Sequence, residues 1–168
     1  GYIFNFEQSE FTTGVDFNQH FEFVAGIAAL LEARAPGAIM LIRAKAGWTN
    51  LALLLACLDG RPGARSRVEV SPSSISLSQF GRTCDVIIYV QGTSAIPELM
   101  MEGVPAVQLA DSDAPAELYP PYIVLPEAVV PRLCVDELIS TLNSDATWLE
   151  TLAVRQRAWM REQTACDT

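Results

Sequence analysis

Short apolar runs of four or five residues alternate along the chain with longer stretches in which apolar positions recur every three or four residues. The first pattern suits strands buried on both faces, the second suits helices with one face in the core. Strands are expected near residues 2–6, 38–42, 67–71, 86–90 and 106–109, with 122–125 as a candidate sixth. Asp16 is placed to cap a first helix. Phe17, Phe21, Val24, Ala25, Ala28 and Leu31 form its main apolar strip and Phe23, Ile27 and Leu30 a second, so the helix should be well buried and should stop before Pro36-Gly37. Thr49 opens a Leu- and Ala-rich helix to about Leu58, and Asp59-Gly-Arg-Pro-Gly63 ends it. Further helices are expected over 76–83, 93–102, 135–143 and 145–163, the last with Trp148, Leu152 and Trp159 on one face. Polar residues 7–14 and the acid- and proline-rich 111–121 read as loops.

Strands and helices in alternation, joined by short turns, imply right-handed crossovers and a parallel sheet. The expected fold is α/β: a doubly wound (Rossmann-like) parallel sheet of five or six strands. It should form one domain over 1–168, with a C-terminal helix over 145–165 packed on it. No internal repeat or low-complexity tract interrupts the pattern.

At 168 residues, half of them hydrophobic, the chain can bury a sizeable core. No apolar run approaches the ~20 residues of a membrane span, and no basic segment leads into a short apolar run as a signal peptide would. Gly1 rather than Met opens the chain, so a further N-terminal portion is expected. The net charge of −9 opposes nucleic acid and anionic membrane surfaces, both of which call for a basic face. It does not oppose a small anion held by local donors. Cysteines 57, 84, 134 and 166 are widely spaced, and His20 is the only histidine, so no zinc ligand set is present. Reduced thiols and a cytoplasmic compartment are expected, with Cys57 and Cys84 as small core residues.

Candidate chemistry concentrates between Asp85 and Leu109. Here an apolar run leads into Gly92-Thr93-Ser94, then a short helix with Glu98 in its first turns, then Gly103-Val-Pro105 and a second apolar run. A helix N-terminus after a parallel strand presents unpaired N–H groups and a partial positive charge to an anion. Gly92 permits close backbone approach. A carboxylate one turn on accepts two hydroxyl donors at once, which suits a vicinal diol. Phosphate plus ribose describes a nucleotide. Other site types lack their signatures. There is no Gly-x-Ser-x-Gly elbow, no Gly-x-Gly-x-x-Gly after the first strand and no Walker string.

The order of these signals from Ala38 to Leu109 resembles the C-terminal, donor-binding half of two-domain glycosyltransferases of the GT-B architecture. Within that group it is most similar to bacterial surface-polysaccharide transferases, and nucleotide-sugar 2-epimerases share the scaffold. The resemblance implies that Gln91-Gly92-Thr93-Ser94 offers backbone amides to the donor diphosphate. It implies that Glu98, five residues before Gly103, binds the ribose hydroxyls, and that the loop Ser71-Pro72-Ser73-Ser74-Ile75 faces the base. Arg43-Ala-Lys45-Ala stands where that group often carries Arg-Pro-His-Pro, keeping the positive charge and losing the histidine. The expected ligand residues are thus Arg43, Lys45, Ser73, Ser74, Gly92, Thr93, Ser94 and Glu98. The resemblance further implies no cofactor, no metal as a rule, and a partner N-terminal acceptor-binding domain that carries the catalytic base. Residues 1–168 alone are then expected to bind donor weakly with little turnover. Two departures stand out. Gln91-Gly92 replaces the Gly-Gly or Ser-Ser of many relatives, and Pro97 removes one amide from the first turn, where proline is tolerated.

Each signal also has a plainer reading. Gly92-Thr93-Ser94 suits an ordinary capped turn, Glu98 and Glu102 suit solvated helix positions, and Gly103-Val-Pro105 suits a helix stop. Arg43 and Lys45 could pair with acids. Trp48 could pack rather than stack on a base, and His20 is more simply a helix residue than a base. The alternatives to a transferase half are a 2-epimerase-like half and a non-catalytic interaction module on the same scaffold.

Overall fold

The computed structural model describes residues 2–4, 17–34, 37–44, 50–61, 63–72, 74–89, 94–109, 125–145 and 147–166. In chain order these form β1 (Tyr2–Phe4), α1 (Phe17–Arg34), β2 (Met40–Ala44), α2 (Asn50–Asp59), β3 (Val68–Val70), α3 (Leu77–Arg82), β4 (Ile87–Tyr89), α4 (Ala95–Glu102), β5 (Ala106–Leu109), β6 (Arg132–Leu133), α5 (Val135–Ser144) and α6 (Trp148–Cys166). The class is α/β with parallel strand pairing, as the alternating pattern implies. The strands hydrogen-bond in the order β3-β2-β1-β4-β5-β6, every pair parallel.

Alternate strand residues serve two separate cores. Ile42, Ile88, Val107 and Leu109 join Val24, Ile27 and Ala28 of α1, Leu54 and Leu58 of α2 and Leu138 of α5. Ile87, Tyr89 and Ala106 join Phe80 of α3, Ile96, Leu99 and Met100 of α4 and Met160 of α6. Both sheet faces are therefore covered, which is why the strands read as continuous apolar runs. Helix α6 takes part in both cores. Trp148 and Leu152 pack on the α1 side, and Trp159 and Met160 on the α4 side.

Several boundaries differ by a few residues from the sequence expectation, and two of the differences have a visible cause. β2 spans 40–44 rather than 38–42, because its carboxyl end pairs with β1 (Ile3↔Arg43, Phe4↔Ala44) while Ile39 stays 52% exposed. Arg43 thus lies inside the strand. The sixth strand is Arg132–Leu133, set by its register on Gln108 and Leu109. Leu125, from the expected 122–125, lies outside any strand, and residues 122–124 lie outside the described residues. A polar residue in a two-residue strand leaves no apolar run to find. The expected loops 7–14 and 111–121 also lie outside the described residues.

Local rules account for the joints. Ser76 and Gln79 form a reciprocal capping box at α3. Gly103 ends α4 with φ of 86°, and Gly103 N–H donates to Met100 O while Val104 N–H donates to Leu99 O, a Schellman stop. The guanidinium of Arg157 donates to Glu102 O across this turn, where a Cβ on Gly103 would overlap it. Gly81 lets α3 approach α4, since a Cβ there would lie 2.5 Å from Leu99 Cδ2. Arginines after α2 tie it to α1: Arg61 to Glu22 at 2.8 Å and Arg67 to Glu32.

The joint between α6 and the sheet is made by Gln156, the one fully buried polar side chain among the described residues. Its Oε1 accepts from Ala106 N–H at 2.8 Å, and its Nε2 donates to Ala106 O at 2.7 Å and Val129 O at 3.1 Å. Ile87 N–H donates to Pro105 O, so Ala106 turns its own groups to the other side, where β6 pairs only Gln108 and Leu109. The carboxamide therefore stands in for a missing strand residue.

Replacing Gln156 by Leu should lower unfolding stability by about 2–5 kcal/mol, because it strands buried backbone groups. Chemical denaturation checks this, and Arg155→Leu, one exposed position away, should leave the midpoint near that of the parent. Gly103→Ala should cost about 1–2 kcal/mol for the left-handed backbone alone. A double-mutant cycle with Arg157→Ala should recover the part due to overlap and leave the backbone part.

Candidate functional site

Parallel sheets bind ligands beyond the carboxyl ends of their strands, most often where the strand order reverses direction. Here the reversal falls between β1 and β4, whose following helices, α1 and α4, pack on opposite sheet faces. The sequence candidates lie around this point. Arg43 is in β2, Ser74 is exposed in the β3–α3 connection, Ser94 precedes α4, and Glu98 is exposed in its first turns. Lys45, Ser73, Gly92 and Thr93 lie outside the described residues, as does Trp48, and nothing of the His20 side chain is described.

Arg43 is the candidate whose surroundings are best defined. Its Nη1 donates to Ile75 O at 3.0 Å, and its guanidinium lies 5.6 Å from the centre of the Phe80 ring. Both partners belong to the β3–α3 segment, so the side chain fastens that connection to β2. No carboxylate pairs with Arg43 among the described residues, although the chain holds an excess of acids. Arg61, Arg65 and Arg67 each meet an acid. Arg43 is a half-buried cation held by a carbonyl and a ring among the described residues.

Ser94 sits at the N-cap in helical conformation (φ −57°, ψ −19°), and its side chain makes no capping bond. Pro97 occupies the third helical position, where its missing N–H breaks no intrahelical bond. Glu98 follows on the solvent side, one turn from Ser94, with no hydrogen bond or ion pair to a described residue. Glu102, one turn further, accepts from Ser78 Oγ at 2.8 Å. It lies on the exposed face, as its helical position suggests. The structure brings Arg43 to Ile75 and Phe80 and shows no contact between Arg43 and Glu98.

Register reveals residues that sequence reasoning missed. Arg43, Ile3, Tyr89, Gln108 and Arg132 fall in a single row across five strands, near their carboxyl ends. Arg43, Tyr89, Gln108 and Arg132 consequently emerge on the face that carries α3 and α4. Burial pushes the Tyr89 phenol well above its usual range, while the nearby positive charge of Arg132 acts in the opposite direction. Tyr89 was legible only as a strand residue, and Arg132 gave no signal, because the row exists only once strand order and register are known.

Among the described residues no group of three His, Cys, Asp or Glu side chains could hold a metal ion. Cys57, Cys84 and Cys134 are free thiols, each half-buried, and the Cys84 thiol donates to Phe80 O at 3.2 Å. Among the same residues no helix is long and apolar enough to cross a membrane.

Arg43→Met should release the β3–α3 connection at a cost of about 1–3 kcal/mol, the range for a charge-assisted hydrogen bond. Hydrogen exchange should quicken at residues 74–76 and remain slow in β2. Arg43→Lys should not restore protection, because an ammonium does not reproduce the planar fork that reaches carbonyl and ring together. No protein-family model and no curated protein sequence matches this chain.

Proposed function

We propose that the chain is the donor-binding half of a nucleotide-sugar-dependent glycosyltransferase, built as a doubly wound, Rossmann-like sheet. Strand order carries this reading. The sequence β3-β2-β1-β4-β5-β6 reverses between β1 and β4, the position at which such sheets take a nucleotide. Arg43, an arginine with no acid beside it among the described residues, supports an anionic ligand at that edge. An exposed Glu98 beyond the start of α4 supports a grip on a sugar diol.

In this reading the diphosphate lies against the amides of Gly92, Thr93 and Ser94, with Lys45 and Arg43 countering its charge. Glu98 holds the ribose, and the segment containing Ser73 and Ser74 faces the base. Developing charge on the departing diphosphate is stabilised by these fixed dipoles and cations. The acceptor hydroxyl and the base that activates it belong to a partner N-terminal domain, and the reaction takes place in the cytoplasm. Neither a cofactor nor a metal is called for.

One observation favours the non-catalytic module instead. The Arg43 guanidinium already bonds Ile75 O and covers Phe80, a structural duty that would persist after a ligand site had decayed.

Calorimetric titration with UDP, CDP and GDP decides between them. One of the three should bind in the micromolar-to-millimolar range, and Glu98→Ala should weaken it about tenfold, the equivalent of ~1.4 kcal/mol. Inorganic pyrophosphate should bind equally well to the parent and to Glu98→Ala, since the carboxylate serves the ribose. Failure of all three nucleotides to bind would favour the interaction module.

A further inference from the structure

Tyr89 is the last residue of β4, and it is only 2% exposed. Its side chain belongs to the core that holds Phe80 of α3 and Ile96, Leu99 and Met100 of α4. The ring suits such a core. The hydroxyl does not, since a buried polar group needs a partner to replace the water it gives up. Other polar side chains around this core have one: Arg43 donates to Ile75 O, the Cys84 thiol to Phe80 O, and Gln156 to Ala106 O and Val129 O. The Tyr89 hydroxyl makes no hydrogen bond to a described residue. A buried polar group in that condition is rare enough in native proteins to call for an explanation, and a ligand atom is one.

The surroundings of the phenol state what kind of atom that is. Register sets Tyr89 in the middle of the polar row, with Arg43 two strands away on one side and Arg132 two strands away on the other. Each arginine thus starts roughly 9.6 Å from β4, twice the interstrand spacing, on the same face of the sheet. The charge of Arg132 acts on the phenol, while burial keeps the phenol protonated far above neutral pH, so it remains a donor. A donor flanked by two guanidinium groups favours an acceptor that carries negative charge. α4, eight residues long, begins six residues after Tyr89 and directs its N-terminus to the same carboxyl edge. A phenol at the last position of the strand can bring its hydroxyl to that edge while its ring stays in the core.

We propose that the Tyr89 hydroxyl is a ligand contact, donating to an oxygen of a diphosphate seated between the end of β4 and the start of α4. The contact rests on the nucleotide reading and deepens it, by adding a neutral side-chain donor to the amides and cations assigned there. A neutral donor in apolar surroundings acts at low dielectric, where its bond to an anion is strong, and it avoids the desolvation cost of burying a further cation. It also accounts for a tyrosine where the core alone would be served by phenylalanine.

The test compares the parent with Tyr89→Phe in two measurements: calorimetric titration with inorganic pyrophosphate and with UDP, CDP and GDP, and a thermal melt without ligand. Tyr89→Phe should bind pyrophosphate and the preferred nucleotide more weakly by the same factor, about tenfold, as expected for one lost hydrogen bond to a charged acceptor. Its thermal midpoint should equal or exceed that of the parent, because removing the hydroxyl leaves no protein group unpaired. Equal pyrophosphate affinity in the two chains would overturn the contact and leave the nucleotide reading standing. A lower midpoint for Tyr89→Phe would also overturn it, since a hydroxyl bonded within the protein gives that result. Weakened nucleotide binding with unchanged pyrophosphate binding would overturn the assignment to the diphosphate. A parent chain that binds neither pyrophosphate nor any of the three nucleotides would overturn both the contact and the reading on which it rests.

Discussion

The attachment of α6 to the sheet depends on one carboxamide. Ala106 opens β5 and faces away from β4, toward a position that β6 does not reach. Its N–H and C=O are buried and must be paired, or each costs about as much as a typical whole-protein mutation. Gln156 satisfies both with a single planar group and adds a bond to Val129 O. This fixes α6 in rotation and height at its midpoint, and so lets its two ends serve different cores. α4 shares a core with α6, and Arg157, the next residue, closes the carbonyl at the end of α4. The local stop at Gly103 and the start of β5 are thereby also tied to α6, an element some fifty residues further along the chain.

The same dependence explains what was legible beforehand. β5 was readable to the residue, because Gly103 and Pro105 mark its approach and four apolar or neutral residues follow. The helices were readable from their spacing and breakers. β6 was not, since its register comes from Gln108 and Leu109 rather than from its own two residues. Trp148, Leu152 and Trp159 were legible as one helical face, yet that face crosses from one core to the other, a fact that spacing cannot carry. For the candidate site, the sequence named Arg43 and Glu98 as polar residues at useful positions. It did not show that Arg43 is anchored on Ile75 and Phe80, nor that Tyr89, Gln108 and Arg132 share its row, because both follow from contacts between segments tens of residues apart.

Charge distribution follows a similar logic. Among the described residues three arginines in the connection between α2 and β3 find acids: Arg61 and Arg67 reach Glu22 and Glu32 of α1, and Arg65 reaches Asp59 of α2. Exposed pairs of this kind contribute little each. Arg43 differs because it is half-buried and faces a carbonyl and a ring instead. Among the described residues its compensation comes from dipoles, which leave a guanidinium more of its field than a carboxylate does, so that it adds local positive potential at the carboxyl edge. An anion at that edge would meet this local potential against the repulsion of the overall charge.

β1 lies at the centre of the sheet and pairs in parallel on both sides. Ile3 stands opposite Arg43 on one side and Tyr89 on the other, so the half-buried guanidinium of β2 and the buried phenol of β4 are set in one row by two pairings at once. The row depends on register, because a slip of one residue turns every side chain of a strand to the opposite face. Register here is fixed by the two cores that cover the sheet, to which β2 and β4 each contribute buried residues. The polar row near the carboxyl edge is thus a product of the apolar pattern beneath it, and no residue of the row specifies it alone.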